Sequence, residues 1–211
     1  MKWFAVGFGV LALIVAAGVL WTEWTMAGIE TPEYRVEAED GAIEVRAYAP
    51  MLTASVTVSG TRDRAASRGF SPLAGFIFGD NRPAEKISMT APVIAEPEGE
   101  AIDRAAPVIT APVGEGMWRI SFVMPASYRP ETLPAPTNDE IVITERPAER
   151  VAAIRFSGIA SENDISAATD TLKAFMDAEG LVAAGPARTA FYDPPWRIPF
   201  LRRNEVIIPL T

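Results

Sequence analysis

The chain has 211 residues, 27 acidic and 19 basic side chains, a formal net charge of −8, and neither cysteine nor histidine. The missing cysteines exclude a disulfide framework, a thiolate nucleophile and a thiolate metal site. The missing histidines remove the commonest metal ligand and the usual general base, and the excess of acid leaves no electrostatic footprint for nucleic acid.

No charged residue occurs between Lys2 and Glu23, and residues 3–22 are nearly all apolar. Such a helix rises about 30 Å, the thickness of a bilayer's hydrocarbon core. Trp3 at one end and Trp21 and Trp24 at the other suit the two membrane interfaces. Residues 1–28 are therefore expected to be an N-terminal membrane anchor. The rival is a cleavable signal peptide ending near Thr25-Met26-Ala27. Lys2 on one flank and Glu23, Glu30 and Glu33 on the other place residues 29–211 outside the cytoplasm, on the periplasmic side.

From residue 29 onward, short strands are separated by proline and glycine, with only two helical windows. Residues 34–38 and 43–48 alternate around Glu39-Asp40-Gly41, a hairpin pattern, and residues 52–58 alternate as well. The first helical window covers 63–76, with Thr61 or Asp63 as cap and Ala66, Phe70, Leu73 and Phe76 or Ile77 on one face. Pro72 is expected to break or kink it. Residues 86–93 read as strand, 94–106 as an acidic excursion, and 108–113 and 117–124 as two further strands. A proline-rich loop, 125–136, precedes strands at 140–144 and 151–156. The second window, 162–179, is the cleaner: Ile165, Ala168, Leu172, Phe175 and Met176 share a face and Gly180 supplies the stop.

An internal echo links the two windows. Residues 43–60 run strand, bend, strand to Ser-Val-Thr-Val-Ser-Gly60, and residues 142–158 run strand, bend, strand to Ala-Ile-Arg-Phe-Ser-Gly158; a helix follows each. A duplicated α+β unit is expected, its sheets pairing into one barrel or saddle with two helices outside.

Enzyme motifs are missing: no Gly-x-Ser-x-Gly, P-loop or dinucleotide fingerprint occurs. The adjacent acids Glu39-Asp40 and Asp139-Glu140 fall at turns, and acid catalysis would need a buried glutamate such as Glu44 or Glu205. Binding fits the residues better. Arg62, Arg64 and Arg68 precede the apolar turn Gly75-Phe-Ile-Phe-Gly79, and arginine beside aromatics pairs with carboxylates while stacking on flat rings. In the tail, Tyr192-Asp-Pro-Pro195 forces a turn, and a loop with Trp196, Arg197, Ile198, Phe200, Arg202 and Arg203 leads into a last strand, 205–210. On local physics alone the commoner fate of such aromatics is core, with the strand as scaffold.

These segments, in order, resemble the SOUL or haem-binding protein family. The matching residues are Glu44-Val-Arg-x-Tyr48, Lys86-Ile-Ser-Met-Thr-Ala-Pro-Val93, Phe122-x-Met-Pro125, Leu133-Pro-x-Pro136, Phe156-Ser-Gly158, Tyr192-Asp-Pro-Pro195 and Arg203-Asn-Glu205. The resemblance implies a distorted antiparallel β-barrel of two pseudo-repeated halves with two flanking helices. It also implies non-enzymatic binding of haem or another tetrapyrrole between the first helix and the loop after Tyr-Asp-Pro-Pro. Carried onto this chain, the helix side is Arg68, Phe70, Leu73, Phe76 and Ile77, and the loop side is Trp196, Arg197, Ile198 and Phe200. Arg68 and Arg197 are then the partners of the ring's carboxylates. Haem iron takes His, Cys, Met or Tyr, so only methionines such as Met89 and tyrosines such as Tyr192 remain here, and both suit packing. Another planar apolar ligand, or a protein-interaction scaffold with no small ligand, stays open.

Overall fold

Alternating residues over β1 (Tyr34–Asp40) and β2 (Ile43–Tyr48) make the expected hairpin, turning at Gly41, whose φ of 59° suits a residue without Cβ. The computed structural model describes residues 29–98 and 116–211. The expected anchor or signal peptide at 1–28 and the expected strand at 108–113 lie outside them. Among the described residues, no helix is long and apolar enough to cross a membrane.

After β3 (Met51–Gly60) comes helix α1 (Arg62–Phe78), then β4 (Asn81–Arg82), β5 (Val93–Glu98), β6 (Gly116–Val123) and β7 (Ala135–Pro136). The second part holds β8 (Val142–Arg146), β9 (Glu149–Phe156), helix α2 (Glu162–Ala178), β10 (Arg188–Phe191), a 3-10 turn at Pro199–Leu201, and β11 (Asn204–Pro209). Pro72 does not break α1. It withholds one hydrogen bond, but Leu73, Phe76 and Ile77 beyond it are buried to 0–1 % exposure, and their packing carries the helix on. The strand expected at 86–93 is irregular until β5 begins at Val93. Asn81 holds this stretch as a loop: its Nδ2 donates to the Phe76 and Glu85 carbonyls and its Oδ1 accepts from Glu85 N–H.

Nine strands form one antiparallel sheet in the order β1-β2-β9-β11-β10-β5-β6-β3-β8. The expected barrel is thus corrected to an open sheet, with β1 and β8 at its two edges. Paired residues of neighbouring strands point to one face, so the ladders Val93–Phe122, Val93–Phe191 and Thr189–Val206 put both helices on the same side. There α1 buries Leu52, Ala54, Val56, Ile120 and Phe122, while α2 buries Val45, Ala152, Ile154, Val206 and Ile208. One face is capped by helices, so the sheet need not close on itself to bury it.

The sequence echo is a structural repeat. Strand, strand, helix, strand, strand occurs as β2-β3-α1-β5-β6 and again as β8-β9-α2-β10-β11. The first strand of each unit crosses to the other half, β2 pairing with β9 and β8 with β3. Gly60 and Gly158, with φ of 132° and 111°, end the second strand of each unit in a backbone region that other residues rarely adopt.

Candidate ligand site

The loop 192–203 joins β10 to β11 and is held largely by its own polar groups. Tyr192 N–H donates to the Arg203 carbonyl at 3.2 Å, closing the stem. Asp193 pairs with the Arg197 guanidinium and accepts from Arg203 N–H. Arg202 donates to the carbonyls of Arg197 and Pro195, and Gly158 N–H donates to the Pro199 carbonyl at 2.9 Å, tying the loop to the segment before α2. On this clamped backbone Trp196 and Phe200 are each 72 % exposed, while Arg197 and Ile198 are half-buried. Two large apolar side chains on a fixed loop are a contact surface rather than core.

On the helix, the residues expected at the site divide. Leu73, Phe76 and Ile77 lie in the core beneath α1. Arg68 is exposed and donates to the Ser59 carbonyl at 3.5 Å, and Phe70 is 43 % exposed. Phe70 leaves the core stripe because Gly69 takes the contact position: a Cβ there would lie 2.7 Å from Ile120 Cβ. The helix therefore lies close on β6, and Phe70 sits at its rim, edge-on to Phe122 at 5.3 Å between ring centroids. Phe122 pairs with Val93 and Val93 with Phe191, the residue before the loop. Phe122, which Phe70 meets midway along α1, and Phe191 at the start of the loop are thus on one row of the sheet, two strand spacings or about 10 Å apart.

The helix-free face holds what residue patterns alone did not reveal. Glu205 is 0 % exposed and is hydrogen-bonded by Arg46, Arg203 and Tyr192. Arg46 also reaches Glu44 and Tyr48 and lies 4.5 Å over the Tyr34 ring. Burial alone would raise the Glu205 carboxyl; the hydrogen bonds and charge of Arg46, and then of Arg203, outweigh it and hold it below its ordinary value. Burial and the neighbouring Glu205 charge push the Tyr192 phenol up, so Tyr192 is a neutral donor committed to Glu205. Period-2 alternation places Glu44, Arg46 and Tyr48 on one face of β2. That this face is buried as well could not be seen without the strand order.

A second ionic group, Glu96 with Arg146, Arg188 and Arg119 and Arg188 with Glu149, lies on the same face. Beside it is a small, partly enclosed cleft lined by Tyr48, Met51, Pro92, Ile94, Arg188 and Ile207 among others. None of the residues expected at the site lines it. Among the described residues no group of three or more Asp or Glu is arranged to hold a metal ion.

A family model described as SOUL heme-binding protein matches residues 29–209. The chain belongs to the SOUL heme-binding protein family. Curated relatives of this SOUL chain include heme-binding protein 2 of Mus musculus, 28 % identical over 184 residues and covering 84 % of each chain. Heme-binding protein 1 of Xenopus laevis is 26 % identical over 189 residues, covering 86 % of this chain and 92 % of the relative. Among solved structures, the EcmrR C-terminal domain superposes with a TM-score of 0.58 at 11 % identity, over 84 % of this chain and 98 % of that one. A Listeria innocua protein called a hydrolase gives 0.54 at 11 % identity, over 83 % and 94 %. At such identities these two share the fold and nothing more.

The SOUL family implies haem or a related tetrapyrrole as ligand, and the residues present fit the ring better than the iron. Exposed Phe70, Trp196 and Phe200 offer aromatic surface and Arg68 a cation, while His and Cys are absent. Tyr192 is engaged on the opposite face.

Proposed function

We propose that this SOUL protein binds a tetrapyrrole without catalysing a reaction, for carriage or buffering, and that residues 1–28 anchor it in a membrane with residues 29–211 outside the cytoplasm. The observation that carries the binding reading is the clamped loop that leaves Trp196 and Phe200 exposed, in a fold where Phe70 is also exposed and packs edge-on against Phe122. The ring would lie against Phe70, Trp196, Ile198 and Phe200, with Arg68 and Arg197 as carboxylate partners. Arg197 would share its charge with Asp193, with which it is paired. Leu73, Phe76 and Ile77 would back the site from the core rather than touch the ring. Ring burial at about 25 cal/mol/Å² must offset the cost of association, so affinity in the micromolar range or weaker is expected.

Haemin and metal-free protoporphyrin, titrated separately and followed by absorbance and tryptophan quenching, test this. Saturable one-to-one binding of both, weakened by Trp196→Ala and by Arg68→Ala, is the expected result. Binding of haemin alone would point to iron ligation by Met or Tyr, and binding of neither would end the tetrapyrrole reading. The lack of His and Cys favours one further reading, another planar apolar ligand in the same place. Retention of neutral flat aromatics by the protein, with neither porphyrin bound, would support it.

A further inference from the structure

Glu205 concentrates more hydrogen bonds than any fold-closing strand requires. Its oxygens accept from Arg46 Nη1 and Nη2 at 2.7 and 3.0 Å, from Arg203 Nε and Nη2 at 2.9 and 2.6 Å, and from Tyr192 Oη at 2.9 Å. A buried ion pair is commonly no more stabilising than a well-packed apolar substitute, so stability does not account for the arrangement. Its connections do.

Tyr192 and Arg203 are the two stems of the loop 192–203. The Arg203 guanidinium lies 3.9 Å over the Tyr192 ring, and their backbones are joined by the 3.2 Å hydrogen bond at the loop's base. Asp193, next to Tyr192, bonds Arg203 N–H at one oxygen and Arg197 at the other. Arg46, on β2, fixes the carboxylate to the body of the sheet. A continuous set of polar contacts thus runs from β2 through Glu205 to both stems and on through Asp193 to the loop's apex. All of it except the apex is on the face away from Phe70.

We infer that the Glu205–Arg46–Tyr192–Arg203 network is a positioning device: it holds the loop 192–203 in its binding conformation and so governs ligand affinity without touching the ligand. The inference rests on the reading of that loop as the ligand wall. Glu205, having no exposed surface, acts only through Tyr192 and Arg203.

Two variants of the full-length protein test it: Glu205→Gln, and the milder Tyr192→Phe, which keeps the ring under Arg203 and removes one O–H. Amide hydrogen exchange across 194–203 and across α2 is read beside the dissociation constant for metal-free protoporphyrin. Tyr192→Phe should speed exchange in the loop, leave α2 unchanged, and weaken binding roughly two- to tenfold, the worth of one net hydrogen bond. Glu205→Gln should do both more strongly; if it does not fold, Tyr192→Phe decides. Arg68→Ala should weaken binding with loop exchange unaltered. A loop that exchanges as in the unsubstituted protein, or one that loosens with no change in affinity, overturns the inference. Failure of the unsubstituted protein to bind either porphyrin overturns the functional reading instead, and exchange alone then decides whether the network pins the loop.

Discussion

The half of the sheet under α2 and the half under α1 repeat one order of elements and finish it differently. Ser161 caps α2 with a complete capping box, accepting from Asp164 N–H while the Asp164 carboxylate accepts from Ser161 N–H. Thr61, at the same point before α1, makes no side-chain cap. The α2 helix buries an even stripe of Ile165, Ala168, Leu172 and Met176; α1 carries Pro72, presses Gly69 on Ile120, and leaves Phe70 and Phe78 exposed. On the helix-free face, the α2 half holds the sealed Glu205 network, whereas the Glu96 group straddles the middle of the sheet with Arg119 half exposed. The difference separates two tasks. The second half is over-determined and anchors the loop; the first is less regular and carries the helix proposed as the other wall of the ligand site.

The largest test of this contrast lies in the two ionic groups. Arg46→Met leaves Glu205 sealed with one guanidinium fewer and should cost about 3–5 kcal/mol in urea unfolding. Arg146→Met takes one of several arginines from the wetter Glu96 and should cost clearly less. Equal losses would show that the Glu96 group is as closed as the other. Acid sharpens the same point. A carboxyl whose folded pKa is depressed stabilises the fold above its unfolded value, and that stability is lost as pH falls through the folded one. Glu205 is held below about 4.5, so unfolding free energy should decline as pH drops from 5 toward 3. Glu205→Gln should flatten that slope; an unchanged slope would assign it to other acids.

Much of this plan was legible in the residues, and the limits are physical. The hairpin, α2 with its Gly180 stop and the repeat ending in Gly60 and Gly158 all follow from local periodicity and turn chemistry. The family motifs pointed to a ligand class and to the loop. Strand closure was not legible, because whether edges β1 and β8 meet depends on twist and on what covers each face, not on any segment's pattern. The Phe70 face was misplaced by one position because a glycine's close approach replaced an apolar side chain in the stripe. β10 was missed because Arg188-Thr-Ala-Phe191 is short and follows no alternating apolar pattern. The Glu205 network needed β2, β9 and β11 to be neighbours, a fact of topology alone.

The helices give a smaller, reciprocal test. Gly69→Ala gains about 1 kcal/mol of helix propensity but must push Ile120 aside, an overpacking cost of about 1–3 kcal/mol. A modest net loss is expected in urea unfolding, and Ile120→Val should not restore it, because valine keeps the Cβ and both Cγ atoms that the new methyl would meet. On α2, where a small side chain is already packed, Ala168→Gly should lose about 1 kcal/mol by propensity alone. A stabilised Gly69→Ala protein would mean that α1 can lift off β6, and that its close packing is not what turns Phe70 outward.

The caps give the finest comparison. Ser161→Ala removes the hydroxyl that accepts from Asp164 N–H, leaving the backbone N–H of residue 161 to the Asp164 carboxylate, and should cost about 1 kcal/mol, with faster exchange of the first-turn amides of α2. Thr61→Ala should change unfolding hardly at all, because its hydroxyl makes no bond to be lost. The start of α1 is secured by tertiary contact instead: Arg62 pairs with Glu162 at the start of α2, donates to Thr189 of β10 at 3.4 Å, and lies 5.7 Å over the Trp118 ring. If Thr61→Ala proves as costly as Ser161→Ala, the two halves are capped alike in solution. If it does not, α1 begins where a side chain from its own first turn meets the other half, and the helix proposed to wall the ligand site is positioned by the half that anchors the loop.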